Sequence, residues 1–158
     1  MFRDVVRKKQ ALTREECLAV LSAVPRGVLA VQGDEGYPYA VPTNHFYDAE
    51  TGALYFHSGK TGHKVDALRS WDKVSYCVVD EGVHKDGDWA KTYRSVIAFG
   101  RVRILEHGDE AMDITRRLSL QFTDDTDYIE HEIKHYGGDT LVFALVPEHM
   151  TGKTVREA

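Results

Sequence analysis

Residues 27–58 read GVLAVQGDEGYPYAVPTNHFYDAETGALYFHS, and this stretch decides the fold class. β-Branched and aliphatic residues fill 27–32, the turn formers Asp34, Glu35 and Gly36 come next, an extended run covers 37–47, a second turn lies at 49–52, and 53–58 is again extended. Three extended runs joined by short turns spell a β-meander. Pro38 and Pro42 within the middle run place it at a sheet edge or at a break in the ladder, because proline donates no ladder hydrogen bond. Upstream, residues 13–24 carry Cys17, Leu18, Val20, Leu21 and Val24 at near-helical spacing behind a Thr13/Glu16 capping box, and Pro25 with Gly27 closes the helix. Downstream, 64–71 reads as a helix with Val65, Leu68 and Trp71 on one face. Segments 73–79 and 95–105 read as strands around an exposed loop at 80–91. Helices are expected at 109–122 and 128–136, a buried strand at 140–146, and a polar tail from Pro147. The result is an α+β chain, mainly β. With six expected strands and no regular βαβ alternation, a closed or partly closed antiparallel barrel with short flanking helices, one domain over 1–158, is the architecture expected.

Composition narrows the function. The chain has 158 residues, 42% hydrophobic and 28% charged, which is enough for one real core without disulfides or metal. Lys plus Arg total 20 against 25 Asp plus Glu, a formal net charge of -5, which argues against a partner that must be neutralised phosphate by phosphate. No nucleic acid is expected. Cys17 and Cys77 lie in apolar contexts and are expected to be reduced core thiols. Neither a signal-peptide core nor a stretch near 18 apolar residues occurs, so the expected place is the cytoplasm, away from membranes.

Two constellations could carry chemistry. His131-Glu132-Ile133-Lys134-His135 matches H-E-x-x-H, which on a helix sets two zinc ligands one turn apart with a glutamate as base. The extended form would need its third histidine at Leu141, within an apolar strand, so a zinc hydrolase is the weaker alternative to an amphipathic helix with Ile129, Ile133 and Tyr136 facing the core. The second constellation runs from 54 to 64, a strand entering a glycine turn and then a helix. The helix N-terminus, together with Lys60, Thr61, His63 and Lys64, makes a credible phosphate cradle, with His57 at the strand's end able to titrate near neutrality.

These pieces, in this order, resemble one family. They are Gly36-Tyr37-Pro38-Tyr39-Ala40-Val41-Pro42-Thr43-Asn44, then Leu54-Tyr55-Phe56-His57-Ser58 with Gly62-His63-Lys64, then Tyr93-Arg94-Ser95-Val96-Ile97-Ala98-Phe99-Gly100, and His149-Met150-Thr151-Gly152-Lys153. Over most of the chain they are similar to the FMN-binding split-barrel proteins, the pyridoxamine 5'-phosphate oxidase-like superfamily, in its branch with the nitroimidazole-resistance proteins. The resemblance implies a six-stranded split barrel that dimerises around two FMN molecules. It implies that Val41, Pro42, Thr43 and Asn44 run along the flavin ring, that Ser58, Thr61, Gly62, His63 and Lys64 take the phosphate, and that Tyr93, Ser95 and Val96 reach the cofactor from the partner subunit. His57 would be the catalytic residue beside the ring, and Lys153 would approach a flavin edge. At His63 the sequence departs from the family, where Arg or Lys is usual. The implied activity is an FMN-dependent oxidoreductase acting on a small molecule, with NAD(P)H as a transient donor because no dinucleotide fingerprint occurs. A non-catalytic flavin store or sensor is the alternative. A homodimer is expected also because Phe46, Tyr55, Phe56, Val96, Ile97 and Phe99 exceed what one small barrel interior needs.

Overall fold

The computed structural model describes residues 1–105 and 108–157; residues 106, 107 and 158, which the single-domain expectation also covered, lie outside the described residues. Helix α1 (Arg14–Ala23) starts where expected. The Thr13 hydroxyl accepts the Glu16 N–H at 3.2 Å while the Glu16 carboxylate accepts the Thr13 N–H at 2.7 Å, a reciprocal cap that satisfies two otherwise orphaned donors. The helix buries Cys17, Val20 and Leu21. Ahead of Pro25 the chain turns extended at Val24, as the proline ring requires.

Strands β1 (Arg26–Gln32) and β2 (Pro38–Asn44) form a hairpin about a turn in which Glu35 and Gly36 take φ of 54° and 79°. The run expected over 37–47 divides at the buried His45, and β3 (Phe46–Tyr47) pairs instead with β4 (Leu54–Gly59). The remaining elements are α2 (His63–Ser70), β5 (Lys73–Val79), β6 (Val83–His84), β7 (Lys91–Leu105), α3 (Asp109–Ser119), α4 (Thr126–Tyr136) and β8 (Thr140–Arg156). The sheet is antiparallel throughout, in the order β2-β1-β5-β7-β8-β4-β3, with β6 against β7. Among the described residues it is a split barrel of eight strands rather than six, because β3 and β6 are two-residue strands too short to show any periodicity. β6 also turns part of the expected loop at 80–91 into a hairpin with β7, which begins at Lys91 rather than Ser95.

Beyond Pro147 the chain is no polar tail. It continues as the second half of β8, paired with β7 from Phe99↔His149 to Thr92↔Arg156 across an irregularity at Phe99/Gly100. Gly152 makes this possible, since a Cβ there would meet the Cys17 sulfur of α1. Trp71, expected to share a face with Val65 and Leu68, is 52% exposed, because α2 ends at Ser70 and the chain at Trp71 is already extended.

Two cores flank the strands. Phe56 stacks on Phe143 at 5.0 Å and meets Tyr76 edge-on at 4.9 Å in the larger one, which α1 and α2 close. Tyr55, on the opposite face of β4, packs with Leu105, Ala111, Ile114 and Val142 beneath α3. This second core corrects the expectation of surplus apolar surface. Tyr55, Phe56 and Val96 are buried within one chain, Phe46 and Phe99 are half-buried, and Ile97 alone of the six is exposed.

Candidate functional site

The order of the sheet leaves β2 at one end and β3 with β4 at the other, so the barrel is open between them. A cavity of about 260 Å³ lies in that split, lined by Arg26, Pro42, Thr43, Asn44 and His57. Among the described residues β2 pairs with β1 alone and keeps one free edge, which is where its two prolines are tolerated. Val41 sits half-buried one position before the lining residues, opposite Leu29. Arg26, which sequence reasoning missed, stands opposite Asn44 and donates from Nε to its Oδ1 at 2.8 Å. The hairpin itself carried the signal, since residues symmetric about Glu35 must face each other.

His57 lies near the end of β4, in register with Val142, and its side chain is open to solvent at the cavity wall. Desolvation by the packed protein around it, and then the nearby Lys64 charge, lower its pKa, so the ring is neutral at pH 7. Ser58 and the exposed Thr61 lead into the Gly62 cap, where φ is 118° and no side chain caps α2. The first N–H groups of that helix therefore point outward without intrahelical partners, an arrangement suited to an anion. Lys64 is half-buried beside them with Nζ 6.0 Å from the Phe143 ring centroid, and burial lowers its pKa. His63 is engaged elsewhere: its ring stacks on Tyr39 at 4.1 Å and its Nε2 lies 3.4 Å from an Asp34 carboxylate oxygen.

The remaining residues singled out in the sequence do not join this cavity. Ser95 and Lys153 pair across β7 and β8 and line a separate cavity of about 390 Å³ with Ile97, Thr151 and the arm residues Val5 and Arg7. Tyr93 is half-buried opposite Val155, and the Val96 side chain lies wholly within the core. His131 and His135 are exposed on α4 with ring centroids 4.0 Å apart, and among the described residues no group of three His, Cys, Asp or Glu could hold a metal ion. Ile129 faces the core as expected of that helix, whereas Tyr136 is 60% exposed.

A buried relay supports the cavity from behind, and nothing in the local sequence announces it. His45, 0% exposed, has Nε2 2.8 Å from the Leu21 carbonyl oxygen and Nδ1 2.9 Å from the Tyr76 hydroxyl, which lies 2.9 Å from the Thr43 carbonyl. Three contacts need three protons, and a neutral imidazole with a phenol supplies two. Protonating His45 would complete the set but would place a charge in the core. Desolvation wins and holds its pKa at about 4, against the opposing hydrogen bond to Leu21.

The sequence model described as pyridoxamine 5'-phosphate oxidase matches residues 13–154. Among curated proteins no sequence matches the chain. Several solved structures share its fold. A candidate 5-nitroimidazole antibiotic resistance protein from Bacteroides thetaiotaomicron superposes with a TM-score of 0.74 at 19% identity, over 92% of this chain and 87% of that one. A FAD-binding protein from Mesorhizobium loti gives 0.66 at 24% identity, over 92% and 97%. A FAD-binding protein from Mycobacterium smegmatis gives 0.67 at 19% identity, over 94% and 99%.

Proposed function

The chain belongs to the pyridoxamine 5'-phosphate oxidase family, and from that premise we propose that it binds FMN in the split between β2 and β4 and is an oxidoreductase acting on a small molecule. One observation carries the reading: a free strand edge and a partly desolvated neutral histidine line one opening of the sheet, and the glycine-capped N-terminus of α2 adjoins both, with Lys64 close enough to influence His57 and His63 stacked on Tyr39 of β2. The residues fit the group. A phosphate suits the α2 N-terminus and the Lys64 ammonium, with the Ser58 and Thr61 hydroxyls as further donors. A planar ring with polar edges suits the free backbone of β2 from Val41 to Asn44. One helix terminus with one adjoining lysine matches a single phosphate, which favours FMN, while the FAD-binding neighbours support flavin in general.

Bound FMN supplies hydride and one-electron transfer. His57 holds the substrate at the cavity wall and, being neutral at pH 7, can accept a proton there and return it. Ser95 and Lys153, on strands away from the split, are the part of the reading that needs a second subunit to bring them to the cofactor, with Tyr93 and the strand at Val96 alongside. The protein is accordingly a homodimer in this proposal, and NAD(P)H docks only transiently.

The test is the visible spectrum of the purified protein and of apoprotein titrated with FMN, FAD and riboflavin, followed by anaerobic addition of NADH or NADPH and by light scattering. The expected result is a yellow dimer that prefers FMN and is bleached by a nicotinamide. Tight FMN that no nicotinamide reduces would make the protein a flavin store or sensor. Colourless protein that no flavin titrates would overturn the reading.

A further inference from the structure

We propose that the recess between β4 and the α3–α4 pair is the substrate pocket, and that Glu132 recognises in it a cationic or N–H-rich nitrogen group carried by a flat small molecule. The recess, about 170 Å³, is walled by His57, Ser119, Ile129, Glu132, Ile133 and Tyr136, among others. It is smaller than the usual 300–1,000 Å³ of drug-sized sites, so it suits a single substituted ring. His57 also lines the cavity in the split, so one imidazole separates the two spaces.

The position of Glu132 carries the argument. Ile129, Glu132 and Ile133 fall at i, i+3 and i+4 on the side of α4 that lines the recess, where an amphipathic helix normally carries apolar residues, with the exposed Tyr136 at i+7 on its rim. The arginines of the packed helix α3 are already committed: Arg116 pairs with Glu130 and Arg117 with Asp48. Among the described residues Glu132 has neither an ion pair nor a side-chain hydrogen bond. A half-buried carboxylate without a partner among the described residues, facing a recess with isoleucine walls and the hydroxyls of Thr115, Ser119, Tyr136 and Thr140, is a site for a donor that arrives with the ligand. His131 and His135, the other members of the sequence motif, point outward and take no part.

The inference rests on the flavin reading only in placing the bound molecule next to the reacting ring, and the test separates the two. Benzamidine, benzamide and benzoate, which are alike in shape and differ in charge, are titrated by calorimetry into apoprotein and into FMN-reconstituted protein. Benzamidine is expected to bind best and benzoate worst in both forms, and benzamidine is expected to shift the flavin absorption band in the reconstituted form. Glu132→Gln is expected to weaken benzamidine by about ten- to a hundredfold, the range for a hydrogen bond to a charged group, with unchanged FMN affinity and melting temperature. Glu132→Asp, which keeps the charge and withdraws it, falls between and covers the case of a misfolded Gln variant. Equal binding of the three probes, or benzamidine binding indifferent to Glu132→Gln, overturns the proposal even if FMN binds. Charge-selective, Glu132-dependent binding to a protein that takes up no flavin upholds the pocket and overturns the flavin reading.

Discussion

His57 stands exposed near the end of β4 between two cavities, with no side-chain hydrogen bond among the described residues. A residue so placed contributes little to stability, typically within about 0.5 kcal/mol. His57→Ala is therefore expected to keep the melting temperature within about 2 °C and most of the flavin, while slowing reoxidation of reduced flavin by the true acceptor in stopped flow. A large drop in melting temperature with unchanged reoxidation would assign His57 to packing instead. His45 is its opposite. Its pKa falls from 6.5 unfolded to about 4 folded, so between those values the unfolded chain binds the extra proton and the folded one does not. Stability is whole above pH 6.5 and is lost as pH drops toward 4, by roughly 3 kcal/mol for this one group at about 1.36 kcal/mol per pH unit. Urea melts from pH 7 to 4 should show that loss. His45→Gln should be less stable at pH 7 and lose that share of the acid slope, and an unaltered slope would remove the relay from the account. His57 was legible from strand alternation and the neighbouring turn, whereas His45 was not, because its partners Leu21 and Tyr76 lie 24 and 31 positions away.

At the scale of the element, α2 ties the fold to the candidate site. Its inner face buries Val65, Ala67 and Leu68, so the N-terminus is held rigidly, while Gly62 supplies the left-handed entry that a side chain would strain. Lys64→Ala is expected to weaken FMN by about ten- to a hundredfold, as befits a charge-assisted bond in a protected place, and riboflavin much less. Fluorescence titration of the two ligands decides it, and equal losses would take the phosphate away from α2. His63→Ala should be the milder change, since that ring is already committed to Tyr39 and Asp34. A capping box made α1 readable and periodicity made α2 so, because those signals lie within a turn or two of the residues they govern. They erred at the ends, as at Trp71, where the extended backbone after α2 sets the direction of the side chain.

For the molecule as a whole, β8 is the central tie. Its first half lies between β4 and β7, and its second half continues along β7 while Leu12 donates its N–H to the Gly152 carbonyl at 2.9 Å. A chain ending at Pro147 would lose that ladder and the packing of α1 against Gly152. It is expected to lose cooperative thermal unfolding, whereas removal of a disordered tail would leave the melt unchanged. By itself, the sequence determined the β1–β2 hairpin, the capped start of α1, the antiparallel class, the family likeness and the place of the glycine turn, whereas the meander it spelled is broken, since β4 pairs with β3 and β8 at the other end of the sheet from β2. The hairpin, the cap and the turn depend on residues within a few positions of one another, where side-chain period and turn chemistry act directly, and the family likeness on the order of such short motifs along the chain. Only the tertiary structure decided that the polar residues after Pro147 form a strand, that His45 turns inward, that Tyr55 has a second core to fill, and that Glu132 comes to share a recess with His57. These outcomes turn on which distant strands pair and which helix covers them. That choice is made by the burial of surfaces far apart in the chain, and it leaves no local period to read.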